Sequence, residues 1–153
     1  MDAIVNQLRS RIQEDMKDAM RAKNVARLGT IRMLIAAIKQ REIDERITLD
    51  ELQILATVDK LIKQRQESIA QYRQGNREDL VAKESAEIEV LREYLPQQLT
   101  EEEIQNLIQT SIKETNASSI KDMAKVMALI KPKAQGRADM GTIGAKIKAL
   151  LSS

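Results

Sequence analysis

The chain has 153 residues, of which 42% are apolar, enough for one ordinary hydrophobic core or two small ones. It contains no histidine and no cysteine, which excludes disulfides, thiolate nucleophiles and most metal sites and acid–base pairs. The formal net charge is only +2, so the total charge favours no class of partner. We therefore expect no catalytic residue, no cofactor and no metal site.

The sequence pattern predicts neither a membrane span nor a secretory signal peptide. No apolar run approaches the roughly 20 residues that cross a bilayer. The first six residues, Met-Asp-Ala-Ile-Val-Asn, lack the basic flank and apolar block of a signal peptide. We expect a cytoplasmic protein without a membrane partner.

Helix is the default conformation, because only two prolines and five glycines interrupt the chain. A fourfold apolar repeat predicts a first helix over residues 2–22, which ends at Lys23. Asn24 is the predicted N-cap of a second helix that continues towards Arg46. The predicted fold class is all-α.

The third helix is predicted from a capping box at Thr48-Leu49-Asp50-Glu51, in which Thr48 is the cap, and it runs to Tyr72. Gly75 is its predicted C-cap, and Asn76 is the predicted N-cap of a fourth helix over residues 77–94.

The strongest domain boundary is Leu95-Pro96, because the residue before a proline avoids the helical region. Another capping box at Thr100-Glu101-Glu102-Glu103 starts the next helix. We therefore predict an N-terminal four-helix bundle over residues 1–95 and a small three-helix C-terminal domain over residues 96–153.

An acidic run at Glu84, Glu87, Glu89 and Glu93 has two interpretations. The first is a magnesium site, since carboxylates are the ligands that this ion prefers. The second is a solvated helix face beside a buried apolar stripe, and we prefer it because the carboxylates follow helical spacing.

The charge is unevenly distributed along the chain. Residues 1–75 hold 14 basic and 11 acidic side chains, residues 76–116 hold 4 and 10, and residues 117–153 hold 7 and 2. The local excess at the C-terminal end suits a phosphate backbone, although lysines beside an apolar stripe are also ordinary soluble surface.

The segment Lys131-Pro132-Lys133-Ala134-Gln135-Gly136-Arg137-Ala138-Asp139-Met140-Gly141 is predicted to be a loop between the last two helices. One interpretation is a backbone anion site, with glycines that permit unusual angles and Asp139 as the cap of the final helix. The other is a plain helix end, glycine turn and N-cap. The candidate RNA-binding residues are Lys125, Lys131, Lys133, Gly136, Arg137, Lys146 and Lys148.

Aromatic side chains are nearly missing, since Tyr72 and Tyr94 are the only two. Proteins that bind single strands stack bases on aromatic rings. An RNA ligand of this chain is therefore expected to be folded or double-helical and to be recognised through phosphates, sugars and shape.

The chain resembles the YqeY-like family through several short segments that occur in the same order and at similar spacing. Members of this family are similar to the C-terminal tail of the B subunit of tRNA-dependent amidotransferases. The resemblance covers essentially the whole chain. Its carrying segments are residues 16–23 (MKDAMRAK), 28–34 (LGTIRML), 64–69 (QRQESI), 75–80 (GNREDL), 93–99 (EYLPQQL) and 136–139 (GRAD).

The resemblance implies a helical bundle followed by a small helical domain, and a tail that contacts the elbow of tRNA. It also carries the label of a carbon–nitrogen ligase with glutamine as amido-N-donor, which we interpret as inherited because the amidotransferase active sites lie outside the tail. Met140 separates Asp139 from Gly141, whereas many relatives place glycine directly after the acid.

Three hypotheses follow for the function. The first is an accessory protein that binds tRNA or another structured RNA, with Lys131, Lys133 and Arg137 on phosphates and Gly136 close to the sugar-phosphate chain. The second is an adaptor whose N-terminal bundle docks a protein partner without RNA. The third, an amidotransferase component, ranks lowest for want of an acid, base or nucleophile.

Overall fold

A computed structural model describes residues 7–152. Within this range the chain forms helices and no strand, so the all-α prediction is confirmed. The helices are α1 (Gln7–Arg21), α2 (Val25–Glu45), α3 (Glu51–Gln74), α4 (Glu78–Arg92), α5 (Glu101–Thr115), α6 (Met123–Ala134) and α7 (Met140–Leu151), with a short 3-10 helix at Ile120–Asp122. Residues 1–6, which include the start of the first predicted helix and the segment predicted not to be a signal peptide, lie outside the described residues.

The chain divides into two compact units, Met1–Leu95 (unit 1) and Pro96–Ser153 (unit 2). Each unit has a hydrophobic cluster of its own. In unit 1 the fully buried side chains include Ile12, Ile31, Leu34, Ile54, Val58 and Leu91. In unit 2 they include Val126, Ile130, Ile143 and Ile147.

Most of the predicted N-caps are observed in the structure. In each of them a side-chain oxygen accepts a hydrogen bond from a backbone N–H in the first turn of the helix. Asn24 accepts from the N–H of Arg27 at 3.2 Å, as predicted. Thr100 and Glu103 form a reciprocal capping box, and Asp139 caps α7; both predictions are confirmed.

Two predicted caps are wrong. The cap of α3 is Asp50, which forms its capping box with Gln53, and not Thr48. Aspartate accepts as well as threonine does, so the two residues compete for the role and the box lies two residues later. Asn76 takes a left-handed backbone with φ 56°, and α4 instead starts after Arg77 without a side-chain cap.

Several helix ends are closed by non-glycine residues in the left-handed region. These are Lys23, Arg46, Asn76 and Asn116, with φ between 54° and 57°. Asparagine adopts this backbone conformation more readily than most residues, whereas lysine and arginine are sterically strained in it.

The acidic run of α4 is partly buried and not simply solvated. Glu87 accepts from Arg65 at 2.8 Å, and Glu84 lies 3.9 Å from the same guanidinium, whose side chain is only 11% exposed. The described residues contain no acidic or other cluster suited to a metal ion. The carboxylates therefore join α4 to α3, a contact that periodicity alone does not reveal.

None of the helices in the described part of the chain combines the length and apolar character needed to cross a membrane.

Candidate functional site

The basic segment of unit 2 begins inside a helix and not in a loop. Helix α6 continues to Ala134, so Lys131 and Lys133 occupy its last turn with Pro132 between them, and the connecting loop is only residues 135–139. The predicted start of the loop at Lys131 is therefore wrong. Cations are favourable in this position, because the last carbonyls of a helix carry partial negative charge.

Helical geometry decides which of the candidate lysines share a side. Residues two apart on a helix point about 200° apart, so Lys131 and Lys133 diverge on α6, and Lys146 and Lys148 diverge on α7. Residues eight apart lie about 12 Å apart along the axis and about 80° apart around it. Lys125 and Lys133 therefore project in directions nearly at right angles, and no two of the three α6 lysines share one line along the helix.

Most of these lysines are available to an external anion. Lys125 is 70% exposed and lies 4.0 Å from Asp122, a weak exposed pair. Lys131, Lys133, Lys146 and Lys148 form no ion pair with any residue that the structure describes. Lys146 is partly buried and the other three are exposed. Their charges are thus directed to solvent and not used within unit 2.

Arg137 holds the loop to the segment that follows Pro96. Its Nε donates to the Gln97 carbonyl at 2.9 Å, and its own carbonyl accepts from the Leu99 N–H at 2.7 Å. Its two terminal guanidinium nitrogens donate to no described residue. The Arg137 guanidinium, which we predicted to bind phosphate, therefore uses only its Nε for a hydrogen bond within the described part of unit 2. We call these contacts between residues 97–99 and residues 136–137 the Arg137 clasp.

Gly136 belongs to the same clasp. It has φ 78°, a region that favours glycine, and its carbonyl accepts from the Gln98 side-chain amide at 2.8 Å. The residue is buried. This placement gives Gly136 a conformational role in the turn and does not favour the expected approach of a sugar-phosphate chain to its backbone.

The start of α7 is occupied by its own cap. Asp139 accepts from the N–H of Gly141 at 3.2 Å and from the hydroxyl of Thr142 at 2.7 Å. A carboxylate in this position already complements the partial positive charge of the helix end. Of the two interpretations of the loop, the structure thus favours a capped turn, and the available cations lie on the helices beside it.

The electrostatic effect of Arg137 reaches α5. The N–H of Thr100 and then its hydroxyl hold the pKa of Glu103 below its ordinary value, and the positive charge of Arg137 adds to this lowering. No local sequence pattern indicates that Arg137 faces the capping box, because Arg137 and Glu103 are 34 residues apart in the chain. The available signal was that Gln97, Gln98 and Arg137 all lie in segments that carry the family resemblance.

Comparison with protein families decides the affiliation. A model described as "Yqey-like protein" matches residues 9–151. The chain belongs to this family. The match spans both units of this YqeY-like chain, including the acidic pair on α4 and the Arg137 clasp.

Curated relatives of this family member carry the name "Altered inheritance of mitochondria protein 41, mitochondrial". The protein from Lachancea thermotolerans is 38% identical over 82% of this chain and 68% of its own length. Those from Vanderwaltozyma polyspora and Kluyveromyces lactis are each 41% identical, over 55% and 70% of this chain and 46% and 61% of their own lengths. The chain thus spans about half to two thirds of the length of these relatives.

The cytoplasmic location expected from the sequence is contradicted by these names, which place the relatives in mitochondria. The expectation rested on the lack of a membrane span and of a secretory signal peptide. Neither feature separates the cytoplasm from mitochondria, so the inference went beyond its physical basis.

Proposed function

We propose that this YqeY-like protein is an accessory factor that binds tRNA or another structured RNA through unit 2. The observation that carries the proposal is the group of lysines on α6 and α7 that have no carboxylate partner among the described residues. Unpaired cations of this kind release counterions when they meet phosphates, which supplies most of the affinity of a sequence-independent RNA site.

The proposed contacts differ in kind. Lys125, Lys131 and Lys133 project in different directions from α6, so with Lys146 and Lys148 of α7 they would contact phosphates on more than one strand of a folded RNA. Arg137 would add its terminal nitrogens to a phosphate without breaking the bond from its Nε to Gln97. Gly136 would serve the site indirectly, by shaping the turn.

The amidotransferase label of the family would not describe an activity of this chain alone. Amide transfer from glutamine needs a nucleophile and a proton shuttle, and the chain offers neither cysteine nor histidine. We further propose that unit 1 is a four-helix bundle and unit 2 a three-helix domain, and that each folds by itself.

The proposal is tested by tRNA binding to the full chain and to a Lys125→Gln, Lys131→Gln, Lys133→Gln variant. Each phosphate contact contributes roughly 0.7 to 0.9 to the slope of log affinity against log salt, so the variant should show a slope flatter by about 2 to 3. The variant leaves Arg137 and its clasp intact. Its thermal melt should therefore match that of the parent protein.

A matched control replaces three exposed lysines of unit 1, Lys17, Lys60 and Lys83, by glutamine. This control carries the same charge change and should retain the salt slope. Equal slopes for the parent protein and the unit 2 variant, or no tRNA binding at low salt, would refute the proposal.

A further inference from the structure

Gly29 is a glycine that the fold does not require. It lies in the second turn of α2, where glycine weakens a helix relative to alanine because it frees the backbone. A Cβ built on Gly29 meets no described atom within 4 Å, so no neighbour among residues 7–152 excludes a side chain. Glycine at this position therefore lowers the stability of the helix, and no contact in the described structure compensates for the loss.

The same glycine belongs to a line of exposed residues along α2. At 100° per residue, positions 25, 29, 32, 36, 39 and 43 fall within about 40° of one direction, opposite the buried Leu34. We call this line the outer face of α2, and it consists of Val25, Gly29, Arg32, Ala36, Lys39 and Ile43.

The outer face is unusually apolar for a solvated surface. Val25 is 80% exposed and Ile43 is 69% exposed, one at each end of the line. Eighteen residues of helix separate them, a length of about 27 Å. Small residues at positions 29 and 36 leave the middle of the line open to close approach by another backbone.

The charge of the outer face has one sign. Between Val25 and Arg41 helix α2 contains no acidic residue, whereas Arg32 and Lys39 project from the outer face. Neither forms an ion pair with any described residue. Two cations seven residues apart thus lie on an apolar line; the charge of Lys39 acts on nearby Glu42, and neither cation is held in an ion pair by a residue that the structure describes.

A groove adjoins the outer face at its N-terminal half. It has a volume of about 590 Å³, and α2 and α4 form its walls. The lining is mainly apolar, and it includes Val25, Gly29, Met33 and Val90. Its charged residues are Lys83, Arg27 and Glu87, of which Arg27 pairs with Glu93 and Glu87 with Arg65. Gly29 therefore opens directly into a recess that side chains of a partner can fill.

We propose that the outer face of α2 docks an amphipathic helix of a partner protein, whose carboxylates lie about seven residues apart and pair with Arg32 and Lys39. The apolar ends of the line, the small residues and the groove accept the apolar side of that helix. Charge complementarity selects an acidic partner and disfavours a basic one. This docking is independent of the RNA proposal, which concerns unit 2.

The role of Gly29 is tested first in the protein alone. Gly29→Ala should raise the melting temperature by about 2 to 4 °C, because alanine stabilises a helix interior and meets open space here. A lowered melting temperature would show that the fold itself needs the glycine, and it would overturn the proposal.

The partner is tested by photo-crosslinking in native cells. The full chain carries a photoreactive phenylalanine derivative at Ala36, in the middle of the outer face, and the crosslinked segment is mapped by mass spectrometry. We expect an amphipathic helix with two or more carboxylates. Crosslinks only to nucleic acid, only to a second copy of this chain, only to a segment without carboxylates, or to nothing would overturn the proposal.

Two pairs of variants add a specificity test. Arg32→Glu and Gly29→Gln should each reduce the crosslinked product by roughly tenfold, through like-charge repulsion and through filling of the groove. Their matched controls, Arg73→Glu and Ala70→Gln, change exposed residues of α3 and should leave the yield unaltered. Equal loss in test and control variants would refute the assignment of the docking surface to α2.

Discussion

The phenolic hydroxyl of Tyr94 donates a 2.7 Å hydrogen bond to the carboxylate of Asp15, which lies on α1, 79 residues earlier in the chain. The Tyr94 ring is almost fully buried, and the Arg11 guanidinium lies 4.9 Å from its centroid. Arg11 also donates to the Glu93 carbonyl at 2.7 Å. Helix α1 and the end of unit 1 are thus joined by a polar cluster over a buried ring.

Tyr94→Phe should lower the free energy of unfolding by about 1 to 2 kcal/mol, because it removes the hydroxyl and leaves Asp15 without this donor. Urea unfolding followed by circular dichroism measures the change. Tyr72→Phe is the matched control, and its effect should stay within about 0.5 kcal/mol. Equal effects of the two substitutions would contradict the importance of the Asp15 contact.

The same contact makes stability depend on alkaline pH. Burial first, and then the bond to Asp15, raise the pKa of Tyr94 well above its ordinary value. A group whose pKa is raised on folding stabilises the protein below its unfolded pKa, near 10 for tyrosine, and loses that contribution as the pH rises further. Stability should therefore fall above about pH 10 in the parent protein, and less steeply in Tyr94→Phe. Parallel pH profiles would refute this account.

Glu42 connects three segments of unit 1. Its Oε2 accepts from Arg9 on α1 at 2.5 Å and from the Leu49 N–H at 2.8 Å. Glu42→Gln should therefore destabilise the protein by about 1 to 3 kcal/mol in chemical denaturation, since hydrogen bonds to charged groups exceed neutral ones. Glu45→Gln, on the same turn but more exposed, is the control and should cost less.

The acid dependence of Glu42 follows from the same geometry. Burial by itself would raise its pKa, but the N–H of Leu49 and the Arg9 guanidinium outweigh burial and hold the pKa below its ordinary value. This contribution is present above the unfolded pKa and is lost as the pH falls through the folded one. Acid unfolding should begin at higher pH in Arg9→Ala than in the parent protein. An unchanged acid transition would count against the pair.

The Arg137 clasp predicts a stability effect that is separate from RNA binding. Arg137→Lys keeps the positive charge but removes the Nε donor to Gln97, so unit 2 should lose about 0.5 to 1.5 kcal/mol. Lys131→Gln, on the exposed end of α6, should change stability by less than about 0.5 kcal/mol. Hydrogen exchange of the Leu99 amide reports the local opening. Unchanged exchange in Arg137→Lys would contradict the clasp.

A fragment of residues 1–95 should remain helical and melt cooperatively, because the buried cluster of unit 1 is composed only of its own residues. Circular dichroism and a thermal melt of the fragment measure this. A fragment that is unfolded at low temperature would refute the proposal that the two units fold independently.

The sequence was sufficient for features that depend on local rules. Helical periodicity gave the all-α class, and the caps at Asn24, Thr100 and Asp139 follow from side chains that accept N–H bonds three residues or fewer away. The N-cap of α3 was predicted wrongly, because Thr48 and Asp50 are both good N-cap residues and local rules do not choose between them. The end of α6 was misplaced because Pro132 lies inside the helix, at a position where a proline normally signals a break.

The contacts that determine the candidate site could not be predicted from local sequence patterns. The partners of Arg137 lie 40 and 38 residues away at Gln97 and Leu99. The Gln98 amide reaches the Gly136 carbonyl across 38 residues, and Arg65 reaches Glu87 across 22 residues. Such pairs depend on how helices pack, which the spacing of apolar residues along one helix does not encode. The direction of a side chain on a helix, which separates Lys131 from Lys133, was available from the sequence once the helix end was known.

The left-handed helix ends at Lys23 and Arg46 have a consequence for ionic strength. Each places a cationic residue within two positions of the last residue of a helix, where attraction to the partial negative charge of the helix end opposes the steric cost of the backbone angle. Dissolved ions screen that attraction but leave the steric cost unchanged. The ends of α1 and α2 should therefore fray as salt is added, whereas those closed by Asn76 and Asn116, which carry no charge, should keep their length.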